Sequence, residues 1–159
     1  WKSHIKVLEN EINELFSADP REQANMYAAL ARSKLAVNAL GTGGPERVAL
    51  FQKAADVLRT SDIYDEAQAL LYEFQAQVVE FEDEPDDVEL KFRSIMELQP
   101  DNVIKAETLM MFARFQLKLN HVSYPVVQQG HAHAENARRL FASLGDLYDS
   151  KQLSVMKNR

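Results

Sequence analysis

An all-α fold of antiparallel helical hairpins, about eight helices in a single domain over residues 1–159, is predicted for this chain on three observations. Apolar residues recur at steps of three and four along most of the sequence, the spacing of a helix with one buried face. No β-branched run alternates at period two for long, and Val78-Val79 and Val126-Val127 sit inside helical patterns. The five glycines and five prolines read as punctuation between apolar-periodic segments.

Each element follows from that punctuation. The first helix is expected from Lys2 to Phe16, with Ile5, Leu8, Ile12, Leu15 and Phe16 as its stripe. Asp19-Pro20 supplies an N-cap and a proline at the first helical position. The second helix carries Met26, Tyr27, Leu30, Leu35 and Val37 to about Leu40. The break Gly41-Thr42-Gly43-Gly44-Pro45 ends it, and Pro45 opens a third helix bearing Val48, Phe51, Ala54, Ala55 and Leu58.

Thr60-Ser61-Asp62 offers cap chemistry to a fourth helix with Ala67, Leu70, Leu71, Phe74 and Val78. Glu82-Asp83-Glu84-Pro85 is a loop whose acids favour the positive end of a fifth helix reaching Leu98. Asn102 is the expected cap of a sixth, with Leu109, Phe112, Ala113, Phe115 and Leu119. Ser123-Tyr124-Pro125 starts a seventh that Gly145 should end as a C′ glycine, leaving Asp146 to cap a short eighth with Leu147, Tyr148 and Leu153.

Composition is ordinary for a globular chain of 159 residues, at 46% hydrophobic and 26% charged. There is no cysteine, hence no disulfide framework, which is compatible with a reducing, cytoplasmic setting. The start, Trp1-Lys2-Ser3-His4, has neither a signal peptide's apolar core nor an initiator Met, so a segment of a longer protein is expected. No apolar run reaches membrane-spanning length.

The net charge of −6 is unevenly spread. Asp62 to Asp101 holds thirteen acids against Lys91 and Arg93, a net of −11, and Arg114 to Arg159 nets +4. No clustered basic face of the kind phosphate backbones need is evident, so nucleic acid is not an expected partner. The acidic middle suits a basic peptide or protein, or is simply a solvated face and loop.

Helices of similar length with short connections make antiparallel neighbours, giving hairpins at about 24–58, 67–98 and 106–144. Their leading alanines, Ala24, Ala67 and Ala106, are 43 and 39 residues apart. In the middle hairpin Tyr72 and Ala76 take large and small packing positions, with Val79 one turn on. Val88, Phe92 and Ile95 line the second helix, and Pro100-Asp101-Asn102 closes it.

This segment resembles a tetratricopeptide repeat, with Gln75 departing from it where that family prefers leucine. Leu109, Phe112 and Ala113, then Ala137, Phe141 and Leu144, echo the pattern in a third hairpin, and Tyr27, Leu30 and Ala31 echo it in the first. The third hairpin is longer than the standard repeat, as in the extended repeats of bacterial regulators. The resemblance implies hairpins stacked as a right-handed superhelix; the alternative is an ordinary antiparallel bundle.

The resemblance also implies that the first helix of each hairpin lines a groove that meets a protein segment. Outward positions carried over are Leu70, Glu73, Gln77 and Glu80 in the middle hairpin. The third offers Glu107, Met110, Arg114 and Leu117, and the first Asn25, Ala28, Arg32 and Leu35. Each could equally be a plain exposed residue. Asn25 and Arg32 suggest the subtype that clamps C-terminal carboxylates, but Glu73, Glu80 and Glu107 argue against it.

Catalytic and metal chemistry find little footing. On a helix His131 and His133 point some 200° apart and cannot share one ion, so both are read as solvent-facing. Gly41-Thr42-Gly43-Gly44 lacks the Lys-Ser/Thr of a phosphate loop, and the acids around Asp83 to Asp87 lack the spacing of a calcium loop. No enzyme activity, metal or cofactor is expected. The expected function is a protein- or peptide-binding scaffold with a mixed, centrally acidic groove. The alternatives are an effector-sensing domain of a multidomain regulator and self-association through the end helices.

Overall fold

The computed structural model describes the backbone of residues 2–33, 44–80, 85–118 and 124–157, and side chains within 3–33, 44–78, 86–117 and 125–146. Among these there are seven helices and no strand: α1 (Lys2–Phe16), α2 (Pro20–Arg32), α3 (Pro45–Thr60), α4 (Glu66–Glu80), α5 (Pro85–Glu97), α6 (Asn102–Lys118) and α7 (Tyr124–Lys157). Leu35, Val37, Leu40 and the glycines at 41 and 43 lie outside the described residues. The chain divides into two compact units, Trp1–Lys91 and Phe92–Arg159.

In the first unit α1 packs on α2, α2 on α3, and α3 on α4. Small residues bring the helices together: Ala24, Ala28, Ala31, Ala54, Ala55 and Ala69 are all completely buried. Around them Tyr27, Leu50, Phe51, Leu58 and Tyr72 fill the core, each large side chain contributing roughly 1.5–3 kcal/mol of burial. The expected stripe of α3 is thus the observed one. That of α1 is narrower: Ile5 and Ile12 are buried and Leu8 and Phe16 pack partly, whereas Leu15 is 74% exposed. α1 leans towards its other flank, where Asn13 accepts from the Tyr27 hydroxyl at 2.6 Å and Glu9 pairs with Lys53.

Helix starts follow cap chemistry, twice from a different residue than expected. Asp19 caps α2 as predicted, its Oδ1 accepting from the Glu22 amide at 3.2 Å ahead of Pro20. α4 is capped by Asp65, not by Thr60–Asp62, because α3 runs on to Thr60 and the Gln68 amide donates to Asp65 Oδ1 at 3.1 Å. α6 is capped by Asp101, not Asn102, with the Val103 and Ile104 amides both 2.9 Å from its Oδ1.

In the second unit α6 packs along α7. Before it, α5 ends at Glu97 and Gln99 takes a left-handed φ of 49°, turning the chain into Pro100. Gly130 is buried in α7; a Cβ there would stand 3.2 Å from Leu117 Cγ and 3.4 Å from Gln116 Cβ. Glycine therefore sits inside this helix to permit close approach, not as punctuation. Gly145 likewise ends nothing. Its φ is not left-handed, the space around it is open, and α7 runs through it for 34 residues, so no separate eighth helix begins at Asp146. An exposed glycine weakens a helix by roughly 1 kcal/mol, which longer-range continuity outweighs.

Candidate interaction surfaces

α4 carries the groove positions expected of the middle hairpin, yet none of its described side chains, 66–78, is exposed. Leu70 and Glu73 are half-buried, and so is Gln77, whose Oε1 is buried without a hydrogen-bond partner. The Glu80 side chain lies outside the described residues. Neighbours enclose α4 on several sides. Glu73 accepts from Arg59 of α3 and from Lys91 of α5, the latter at 2.8 Å, and Arg59 also forks onto both oxygens of Glu66 at 2.9 and 3.0 Å.

These two cations and two acids neutralise one another. Burial alone would raise the Glu73 carboxyl, but the hydrogen bonds from Arg59 and Lys91 outweigh it and hold it at about 2. The Arg59 fork lowers Glu66, and Arg59 itself is raised by its bonds to Glu66 and Glu73. Glu73 is therefore committed inside the unit and is not an open counter-charge for a basic partner.

The α2 positions divide. Ala28 is completely buried, against expectation, because the adjoining core lies on that side. Asn25 and Arg32 are exposed. The Asn25 side-chain oxygen accepts from the Tyr72 hydroxyl at 2.7 Å. Arg32 donates from Nε, at 3.1 Å, and from Nη2 to Gln75 Oε1, and its guanidinium carbon stands 5.9 Å from the ring centres of both Phe51 and Tyr72. With Arg21 and Asp65 3.7 Å apart, partners ascend together along both helices, so α2 and α4 run parallel.

In the second unit the α6 positions do form one face. Val103, Glu107, Met110, Arg114 and Leu117 follow steps of four and three, opposite the buried Phe112. Arg114 is exposed, Val103 is 47% and Leu117 42% exposed, and Glu107 and Met110 are half-buried.

Two groups on α7 depart from the sequence reading. His131 is exposed, but His133 is half-buried, with its Nδ1 2.9 Å from Gln116 Oε1. Its ring centre is 5.5 Å from that of Phe92 and 5.3 Å from that of Phe112, and those two phenyl rings stack at 4.1 Å. Burial lowers the His133 pKa. Phe141, expected to pack beside Ala137, is 40% exposed. Glu135 is drawn down to about 2 by bonds from Arg138 and Arg139. Among the described residues no group of three or more His, Cys, Asp and Glu could hold a metal ion, and no helix is long and apolar enough to cross a membrane.

The Arg59–Glu73–Lys91 set and the Arg32–Gln75 bond escape sequence reading, since their partners come from different helices. The one signal was Gln75, a polar residue where the repeat pattern asks for leucine. No family model, curated protein or solved structure matches the chain.

Proposed function

We propose that the chain is a tetratricopeptide-like scaffold that binds a protein segment and has no catalytic chemistry of its own. The carrying observation is the outer face of α6, where Val103 and Leu117 leave apolar surface exposed beside Glu107, Met110 and Arg114. Such a mixed face suits an extended peptide or a partner helix through apolar anchors and charge-assisted hydrogen bonds. The parallel run of α2 and α4 supports the repeat reading, because successive hairpins in a stack place their first helices side by side.

Glu73, already paired with Arg59 and Lys91, is not the residue of the acidic middle that would meet a basic partner. Glu107 remains to meet a base. The test is selection of a random-peptide display library on the immobilised chain. Binding peptides should be recovered, and the double substitution Val103→Asp and Arg114→Glu should remove most binding with an unchanged circular-dichroism spectrum. Recovery of no peptide would end the reading.

A second reading, an effector-sensing domain of a larger regulator, is favoured by Gln77, whose buried Oε1 is available to a small hydrogen-bond donor. Thermal-shift screening of metabolites decides it, an absence of any shift counting against it.

A further inference from the structure

We infer that the outer face of α6 pairs with the same face of a second copy of this chain, the two helices running antiparallel about a two-fold axis near Met110. That pairing names the occupant of the interaction face proposed above, and it rests on the reading of α6 as such a face. The face has an internal order. Val103, Met110 and Leu117 recur every seven residues, with Glu107 and Arg114 set between them. All five share one side of the helix, opposite buried Phe112. A seven-residue recurrence keeps the stripe of one helix against another along its length.

The order of the charges selects a second copy. Glu107 and Arg114 stand farther apart than the i, i+3 and i, i+4 spacings at which neighbours on one helix pair. Among the described residues neither meets an opposite charge. Met110 lies three residues after Glu107 and four before Arg114, so reversing a copy about Met110 interchanges their levels. Glu107 then meets Arg114 of the other copy, and the pair forms twice, as an isologous two-fold interface requires. The same reversal brings Val103 to Leu117 at each end and Met110 to its own twin at the centre.

A parallel pair would set each residue against itself, opposing Glu107 to Glu107 and Arg114 to Arg114. Like charges juxtaposed across an interface are strongly unfavourable. The antiparallel register alone matches apolar to apolar and acid to base along the stripe. A helix of 17 residues is about 25 Å long, so it buries less than a standard interface and the dimer is weak and exchangeable. A segment with the same order of residues can therefore compete for the face.

Sedimentation equilibrium of the full chain over a concentration series should show monomer and dimer in exchange. Glu107→Arg and Arg114→Glu should each weaken the dimer by about tenfold or more with an unchanged circular-dichroism spectrum. A mixture of these two variants should associate again, and both changes in one chain should restore the homodimer. The chain contains no cysteine, so introduced thiols report register under a mild oxidant. Met110→Cys should cross-link to itself. Val103→Cys should cross-link to Leu117→Cys but not to its own twin, which stands about 21 Å away along the axis. A chain that stays monomeric up to about 1 mM, or a dimer indifferent to both charge reversals, would overturn the inference. Recovery of display peptides on such a chain would leave the peptide-binding reading standing. A dimer of the expected register that yields no peptide would end that reading and keep this one.

Discussion

The two units hold their helices together by different means. In the first, polar groups cross from helix to helix: Tyr27 to Asn13, Tyr72 to Asn25, Arg32 to Gln75, and Glu73 to Arg59 and Lys91. Buried Arg47 adds a bond from its Nε to the Ala31 carbonyl at 2.9 Å. In the second, α6 and α7 meet through close approach at Gly130, with Ala137 buried between them and Gln116 hydrogen-bonded to His133. Polar stitching fixes alignment and punishes the loss of one partner. Close packing punishes added volume.

The largest effect should come from the stitched unit. Glu73→Lys places a third cation beside Arg59 and Lys91 and should destabilise the first unit by about 2–4 kcal/mol, read by urea denaturation. The figure lies below that for a wholly buried pair because Arg59 keeps 28% and Lys91 24% of their side-chain surface. Unchanged stability would reduce this network to surface decoration. The counterpart in the second unit is Gly130→Ile, expected to lose about 1–3 kcal/mol by overpacking against Leu117. Gly145→Ala is its control, in open space on the same helix, and should gain up to about 1 kcal/mol.

Acidification separates the units by smaller effects. His133 is lowered from 6.5 by burial, so the unfolded chain takes up its proton first. Its contribution is whole above about 6.5 and is lost as pH falls below that. Glu73 is lowered from 4.5 to about 2, so its contribution is whole above 4.5 and lost between there and 2. Hydrogen exchange followed down the pH scale should show the second unit weakening first, and His133→Gln should abolish that early step. Simultaneous weakening would contradict the contrast.

The same contrast explains what was legible in the sequence. The stripe Val48, Phe51, Ala54, Ala55 and Leu58 could be read because helix period and burial are properties of one segment. Asp19-Pro20 was legible for the same reason. Asp65 and Asp101 were missed by a few residues because neighbouring acids and amides offer the same cap chemistry. Glycines 130 and 145 misled because glycine serves both close approach and termination, and only a neighbouring helix or its absence distinguishes them. The commitment of Glu73 depended on α3 and α5 arriving beside it, which no local pattern announces. Of the outward positions, those on α6 share one face, whereas on α2 and α4 Ala28, Leu70, Glu73 and Gln77 are drawn inward.

The parallel run of α2 and α4 also carries a consequence for the order of events in folding. Its bonds join residues 43 and 47 apart in sequence, while Gln116 and His133 are only 17 apart. Closing the longer loop costs about 0.8 kcal/mol more in chain entropy, and α3 must first lie between its neighbours. Contacts of that span form late. The Arg32–Gln75 bond should therefore be absent from the transition state, so that Gln75→Leu alters the unfolding limb of a chevron plot and leaves the folding limb in place. The bond that ties α2 to α4 is then among the last to form and the first to be released.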